Sequence, residues 1–229
     1  MRNYFKNLEL LSKNHVYSPE MEHDACGVGL IASTEGKKSR SVVEYGIEAL
    51  KAVWHRGAVD ADGKTGDGAG IHLEIPKDFF VEKIQVTGHQ YDDAEICVGM
   101  IFLPRNDYSS QESCKTIVES ALTKNNFSIY GWRQVPVNTK VLGVKALQTM
   151  PEIIQVLFKS NDPNLLNKEL ERKIYEIRKK IENDAHKLSL NNFYICSMSS
   201  KSIIYKGMFL AESISEFFLD LKDQRFVSR

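Results

Sequence analysis

The ten residues HDACGVGLIA, numbers 23–32, place Cys26 ahead of a Gly-x-Gly and an apolar run. Two glycines and four apolar residues leave no helical face, so residues 26–33 predict a buried strand that begins on the cysteine. A Gly-x-Gly also lets a ligand approach the backbone closely. The preceding residues mix charges of both signs and lack the apolar core of roughly 7 to 15 residues that a secretory signal needs. We therefore expect residues 1–25 to be a leader, or propeptide, ahead of a domain at 26–229.

The composition argues against several classes of protein. The chain has 229 residues, 42% of them hydrophobic, which is enough for one sizeable core. Thirty basic residues balance thirty acidic ones, so no net field attracts nucleic acid or an anionic membrane. The four cysteines are far apart with no C-x-x-C pair, which argues against a metal site or a disulfide framework. With no apolar run near the roughly 20 residues that cross a bilayer, we expect a soluble, cytoplasmic protein.

Periodicity predicts helices and strands that occur in pairs along the chain. Helices are expected at residues 40–54, around Phe79 and Phe80, at 109–124, at 167–184 and in ESISEFFLDL. Strands are expected in GIHLEIP, in EICVGMIFLP as a central strand, in FSIYGWRQVPV and in MPEIIQVLF, and a hairpin in FYICSMSSKSIIYKG. Paired rather than strictly alternating elements favour an α+β class, with mixed sheets covered by helices.

One of the cysteines differs from the others in its setting. Cys97, Cys114 and Cys196 lie in apolar strands or in a helix, where a buried structural cysteine is expected. Cys26 instead follows the leader. Once the leader is removed, the new α-amino group, with a reference pKa of about 7.7 to 8.0, can act as the base for a thiol of reference pKa roughly 8.5. Enzymes with an N-terminal nucleophile use this arrangement, which needs no histidine partner.

The segment HRGAVDADGKTGDGAG, residues 55–70, has five glycines, three aspartates and no periodicity, so it is predicted to be an irregular loop. Arg56 either follows a helix end or offers its planar fork of donors to a carboxylate, carbonyl or chain terminus near the thiol. KTGDGAG lacks the ending of a P-loop and precedes a strand, which argues against nucleotide binding. It forms either a tight turn with positive φ at several positions or a loop lining a pocket for a small polar substrate, with Asp67 fixing backbone donors.

Three motifs in this order resemble those of one known family: CGVG at 26, HRGA at 55 and KTGDGAGI at 64. With GWRQVPV at 131, LGVKALQTMPEIIQ at 142 and FYICSMSSKSIIYKGMFLA at 193, the chain from Cys26 is similar to the amino-terminal class II glutamine amidotransferase domain of glutamate synthase large subunits. The resemblance implies a four-layer αββα sandwich of the N-terminal nucleophile hydrolase type. It also implies that Cys26 attacks L-glutamine and releases ammonia. The residues it assigns to substrate binding or to positioning of the nucleophile are Gly27, Arg56, Asp67 and Gly68.

The resemblance also places parts of the activity outside this chain. FMN and an iron–sulfur cluster would belong to other synthase domains, which together with a small subunit would be its partners. No cofactor or metal is expected here. An R-F-S-T-like segment, an Asn-Gly pair for the oxyanion hole and a later aspartate would follow Arg229, so the sandwich is expected to be incomplete at its carboxyl end. Two alternatives stay open: a catalytically inactive fragment, and another N-terminal cysteine amidohydrolase.

Overall fold

The computed structural model of the chain describes residues 2–14, 27–53 and 57–229. The α-helices are α1 (Arg2–Asn14), α2 (Arg40–Ala52), α3 (Lys77–Val86), α4 (Tyr108–Lys124), α5 (Val144–Thr149), α6 (Asn167–Lys187) and α7 (Ile214–Phe217). The strands are β1 (Ala69–Glu74), β2 (Cys97–Leu103), β3 (Phe127–Gln134), β4 (Glu152–Ser160), β5 (Tyr194–Ser199) and β6 (Ser202–Gly207). Short 3₁₀ helices lie at Thr139–Val141, Ala211–Ser213 and Leu219–Lys222. This mixture of helices and antiparallel sheets confirms the α+β class.

Most of the predicted helices are present within a few residues of their expected bounds. α2 begins after Ser39, whose side chain accepts a hydrogen bond from the backbone of Val42, and it buries Val43 and Ile47. Its predicted last residue, Trp54, lies outside the described residues. Among the helices of the described ranges, none is long and apolar enough to cross a membrane.

Four strands form one antiparallel sheet in the order β3-β4-β2-β5. β2 lies between two neighbours, so the prediction of a central strand in EICVGMIFLP is confirmed. A β-bulge interrupts the pairing of β2 with β5 after Met100, and another interrupts the pairing of β3 with β4 after Ile129. Such bulges bend a strand locally and increase its twist.

Side chains of this sheet alternate between two buried faces, as the period of a strand requires. Along β2, Cys97, Ile101 and Leu103 lie on one face and Val98 and Met100 on the other. The helices α4 and α6 cover the first face. The apolar residues that they contribute there are Cys114, Val118, Ala121, Leu122, Leu170, Ile174, Ile177 and Ile181. The second face packs against α2, α3, β1, β6 and the carboxyl-terminal turns.

β1 and β6 form a separate two-stranded antiparallel sheet, in which Ile71 lies opposite Tyr205. The predicted hairpin of β5 with β6 is therefore wrong, because β5 pairs with β2 and the connection crosses from one sheet to the other. Side-chain hydrogen bonds hold this corner. Glu171 of α6 accepts hydrogen bonds from Ser199 Oγ at 2.8 Å and from the Ser200 N–H at 2.6 Å. A sequence pattern that marks two strands and a turn does not reveal such a corner.

The strand predicted over residues 26–33 is not a strand in its described part. Residues 27–33 belong to neither sheet, and Val28 and Leu30 are each 89% exposed. A strand needs a neighbour for its backbone N–H and C=O groups, and none of the strands in the described ranges pairs with this segment. Cys26, on which the predicted strand begins, lies outside the described residues.

A polar cluster lies within the apolar core on the second face of the four-stranded sheet. Asp220, 4% exposed, receives two hydrogen bonds from the Arg133 guanidinium. The Tyr205 hydroxyl also donates to Asp220 at 3.1 Å, and Arg133 donates to Gln155 Oε1 at 2.7 Å. Burial raises the pKa of Tyr205 well above its usual value, so its hydroxyl stays protonated and able to donate. The cluster joins β3, β4 and β6 to the last 3₁₀ helix.

Candidate active site

The loop between α2 and β1 is described from Gly57 onward, and it folds back on itself. The Asp60 N–H donates to Thr65 O at 2.9 Å, and the Asp67 N–H donates to Ala58 O at 3.2 Å. These bonds bring the two arms of the loop together around its tip. The irregular loop predicted over residues 55–70 is confirmed for residues 57–68, whereas Ala69 and Gly70 already belong to β1 and residues 55 and 56 lie outside the described residues.

A carboxylate inside the loop fixes its backbone. Asp62 Oδ1 accepts hydrogen bonds from the N–H groups of Lys64 at 2.9 Å and Thr65 at 2.7 Å. Asp62 Oδ2 accepts a bond from the Thr65 hydroxyl at 2.6 Å. These bonds, the Thr65 hydroxyl first, hold the pKa of Asp62 well below its usual range, so the carboxylate stays charged. That Asp67 fixes backbone donors, as the sequence predicted, stays a prediction; the bonds observed in the loop are those of Asp62 and that of Asp60, whose Oδ1 accepts from the Ala61 N–H at 2.6 Å.

The same loop rests on the short helix α5. Thr65, 3% exposed, accepts a hydrogen bond from the Ala146 N–H at 3.4 Å. Lys145 donates to Asp60 Oδ2 at 2.5 Å across the surface. At Gly143, just before α5, a Cβ would lie 2.6 Å from Thr65 N, so only glycine fits there without a shift. The loop is therefore attached to a neighbouring element and not only to itself.

The structure explains why glycine is required at two positions of the KTGDGAG motif. A Cβ on Gly66 would lie 2.6 Å from the carbonyl oxygen of Phe209, so the loop backbone runs directly against the chain after β6. Gly68 has a φ of +135°, which side-chain-bearing residues rarely adopt. Gly63, at φ +69°, is a second position of positive φ. Gly63 precedes KTGDGAG, so Gly68 is the one position of positive φ within that segment, and the expectation of several such positions there is wrong.

A groove of about 530 Å³ opens where the loop meets β1. Asp67 and Gly68 line its loop end, and both are exposed. Its walls are the first half of β1, the end of β6, and Phe102 of β2. Lys206 and His72 also line it, and the Lys206 ammonium donates to the Tyr194 hydroxyl at 2.7 Å. One acidic and one basic side chain, Asp67 and Lys206, thus lie on a groove whose volume is in the range of small-molecule sites.

The residues that the sequence singled out are only partly placed. Cys26 and Arg56 lie outside the described residues. Asp67 and Gly68 are brought together at the groove, whereas Gly27 is exposed and is not among the described residues that line it. Among the described parts of the chain, no group of three or more His, Cys, Asp or Glu residues could hold a metal ion.

The other three cysteines are structural, as the sequence predicted. Cys97 and Cys114 are fully buried, and Cys196 is 4% exposed. Burial raises the pKa of Cys114 and of Cys196 to about 11, and it raises the pKa of Cys97 further above its usual value. At neutral pH these thiols are protonated, and a protonated thiol is a weak nucleophile.

Sequence reasoning missed Asp62 and Thr65, although the printed sequence contains a signal for them. An aspartate three residues before a threonine, with a glycine between, favours a turn in which the side chains bond the local backbone. That signal predicts the bonds within the loop. Nothing in it predicts the contact with Ala146, which is 81 positions beyond Thr65 in the chain.

Comparison with known proteins identifies the family. A family model described as "Glutamine amidotransferases class-II" matches residues 26–229, and the chain therefore belongs to the class II glutamine amidotransferases. The matched region begins on Cys26 and includes the loop, the groove and both sheets.

Glutamate synthases are among its relatives, which confirms the resemblance carried by the motifs. The glutamate synthase [NADPH] large chain of Azospirillum brasilense is 53% identical over 222 residues, covering 97% of this chain and 15% of that protein. The corresponding large chain of Bacillus subtilis is 35% identical over 213 residues, covering 93% and 14%. Ferredoxin-dependent glutamate synthase 2 of Synechocystis is 38% identical over 208 residues, covering 90% and 13%. The chain thus spans about one seventh of the length of these relatives.

Proposed function

We propose that residues 26–229 form the glutamine-hydrolysing region of a glutamate synthase, with Cys26 as an amino-terminal nucleophile. The observation that carries the proposal is the class II match, which begins on Cys26 and includes CGVG, HRGA and KTGDGAGI. The buried state of the other three cysteines supports it, because none of them offers a thiolate at neutral pH.

The proposed reaction begins with removal of residues 1–25, which frees the α-amine of Cys26. This amine takes the thiol proton, and the sulfur attacks the side-chain amide carbon of L-glutamine. The carbon–nitrogen bond then breaks while the amine returns its proton to the leaving nitrogen, so ammonia departs and a glutamyl thioester remains. Water, deprotonated by the same amine, attacks the thioester carbon. Glutamate leaves and the thiol is restored.

The groove beside β1 is the proposed place for the polar parts of the substrate. Asp67 and Gly68 contact it from the loop, where the missing side chain of Gly68 leaves the backbone open to a ligand. Gly27 allows the same close approach next to the nucleophile. Arg56, the arginine of HRGA, offers its guanidinium to a carboxylate or to the amino-terminal cysteine. The family motifs support all of these proposed roles, and the loop geometry supports those of Asp67 and Gly68.

The complete domain is proposed to be a four-layer αββα sandwich. The two antiparallel sheets, the packing of α2 on β1, and the cover of α4 and α6 on the four-stranded sheet support this assignment. The oxyanion donors and the groups that bind the substrate ends belong, by the resemblance, to sequence after Arg229. FMN and an iron–sulfur cluster likewise belong to other domains, which with a small subunit are the proposed partners in a cytoplasmic enzyme.

The test is ammonia release from L-glutamine by the complete gene product. We expect turnover in the unmodified protein and none above background in Cys26→Ser. Cys114→Ser serves as the matched control, because it makes the same chemical change at a buried thiol and is expected to retain turnover. Equal activity of the two variants would rule out Cys26 as the nucleophile. No release from the unmodified protein would leave the inactive-domain alternative as the better account.

A further inference from the structure

We infer that Asp62 and Thr65 are positioning residues, which hold the loop of residues 57–68 on α5 and thereby fix Asp67 and Gly68 at the groove. The inference rests on the proposed function, because the position of this loop affects glutamine hydrolysis only if the groove receives the substrate. Neither residue needs to touch the substrate for this role.

The first part of the arrangement is one hydroxyl group that links two elements. The Thr65 hydroxyl donates to Asp62 Oδ2 at 2.6 Å and accepts from the Ala146 N–H of α5 at 3.4 Å. Asp62 therefore fixes the direction in which the Thr65 hydroxyl proton points. The lone pairs of the hydroxyl oxygen then remain available to accept the hydrogen bond from α5. Thr65 is 3% exposed, so water does not compete for these bonds.

The second part of the arrangement is the packing of α5 against the rest of the molecule and against the loop. Ala146, the one buried residue of α5, is 4% exposed, and Leu142 and Met150, near the two ends of the helix, pack against the core that contains Phe209 and Phe217. The approach of the loop is close, since a Cβ on Gly143 would overlap both Asp62 Oδ2 and Thr65 Oγ1. The buried Ala146 of an otherwise exposed short helix thus supports the loop through its backbone N–H.

The Thr65 contact lies only two residues from Asp67, which lines the groove. Only Gly66 separates Thr65 from Asp67, and Gly66 is itself confined against the Phe209 carbonyl. Loss of the Thr65 hydrogen bonds is therefore expected to displace Asp67 and Gly68, because the single residue in between leaves the backbone little conformational freedom. Displacement of a substrate-positioning group by about 1 Å can lower a rate on the order of a hundredfold.

The test compares Thr65→Val, which removes the hydroxyl at constant shape, with Thr65→Ser, which keeps it. A matched control is available at the start of α4, where Asp107 accepts bonds from the Ser110 N–H at 2.9 Å and from the Ser110 hydroxyl at 2.6 Å. Ser110→Ala removes the corresponding hydroxyl on the other side of the four-stranded sheet. Each variant of the complete gene product is measured for glutaminase kinetics, for thermal stability and for hydrogen exchange of the loop amides.

We expect Thr65→Val to lower kcat/KM for glutamine by about tenfold to a hundredfold, and Thr65→Ser to restore most of it. Ser110→Ala is expected to leave kcat/KM unchanged. Exchange at residues 64–67 should be faster in Thr65→Val alone. Unchanged loop exchange in Thr65→Val overturns the inference, and so does a kinetic loss in Ser110→Ala equal to that in Thr65→Val. If the unmodified protein does not hydrolyse glutamine, the proposed function fails, and loop exchange still decides whether Thr65 holds the loop.

Discussion

Arg133 and Asp220 are joined by two parallel hydrogen bonds, 2.7 Å from Nη1 to Oδ2 and 2.5 Å from Nη2 to Oδ1. Their side chains are 13% and 3% exposed, and the guanidinium carbon lies 5.2 Å from the centre of the Phe79 ring. A buried ion pair stabilises a fold only while both partners are present, because either one alone is a charge shielded from water. The pair therefore ties β3 to the last 3₁₀ helix.

Loss of one partner of this pair is expected to be costly. Arg133→Met should lower the free energy of unfolding by about 3 to 5 kcal/mol, since it leaves Asp220 buried without its cation. Urea-induced unfolding measures the change. Lys222→Ala is the control, because its pair with Glu216 is about half exposed and should contribute at most about 1 kcal/mol. Equal losses in the two variants would contradict the burial-based account.

The buried thiols should be unreactive until the chain unfolds. In a Cys26→Ser background, Cys97, Cys114 and Cys196 should react with a thiol reagent at about pH 8 only after denaturant is added. The pKa of Cys114 and of Cys196 is raised to about 11, above the value of about 8.5 in the unfolded chain. The free energy of unfolding should therefore be at its full value below about pH 8.5 and should fall as pH rises toward 11, because these thiols ionise first in the unfolded chain. Rapid labelling of the native protein would mean that these thiols are accessible.

Acid should remove the contribution of the Asp223 carboxylate to the free energy of unfolding. A hydrogen bond from Arg225 is the largest cause that lowers the pKa of Asp223 to about 2, against about 3.9 in the unfolded chain. Its stabilisation is therefore full above about pH 4 and is lost as pH falls toward 2. Asp223→Asn should be less stable than the unmodified chain near neutral pH, and the difference should close over that acid range. A difference that persists unchanged over that range would argue against this origin.

The contact of the loop with α5 predicts an effect of a single methyl group. Gly143→Ala should loosen residues 57–68, because the added Cβ would lie 2.6 Å from the Thr65 backbone nitrogen. Hydrogen exchange of the loop amides is expected to rise. Gly36→Ala is the control, because its added Cβ would have no neighbouring atom within 4 Å. Its cost comes only from the backbone φ of +67° at that position. Loop exchange that is the same in both variants would show that the close packing at Gly143 is not what holds the loop.

Much of the secondary structure could be predicted because local periodicity reflects burial. The stripe of Leu170, Ile174, Ile177 and Ile181 predicted α6, and all four side chains are buried on one face of the four-stranded sheet. The apolar run at β2 predicted a central strand for the same reason.

Features that depend on pairing between distant residues could not be predicted in this way. β5 and β6 have the pattern of a hairpin, yet their partners are β2 and β1, and a hydrophobic pattern does not specify which strand will lie alongside. The strand expected over residues 26–33 is wrong in its described part for a similar reason, since apolar composition does not supply a neighbouring strand. In the candidate site, the motifs pointed to Asp67 and Gly68. The attachment of the loop through Thr65 depends on a helix far away in sequence.

The central claim is that Cys26 acts as an amino-terminal nucleophile on glutamine. It is tested most directly by the mass of the active protein after reaction with 6-diazo-5-oxo-L-norleucine, an electrophilic analogue of glutamine. Intact mass and peptide mapping of the complete gene product should show a polypeptide that begins at Cys26 and carries one adduct on that residue. An adduct on Cys97, Cys114 or Cys196, or full glutaminase activity in protein that retains Met1, would contradict the account.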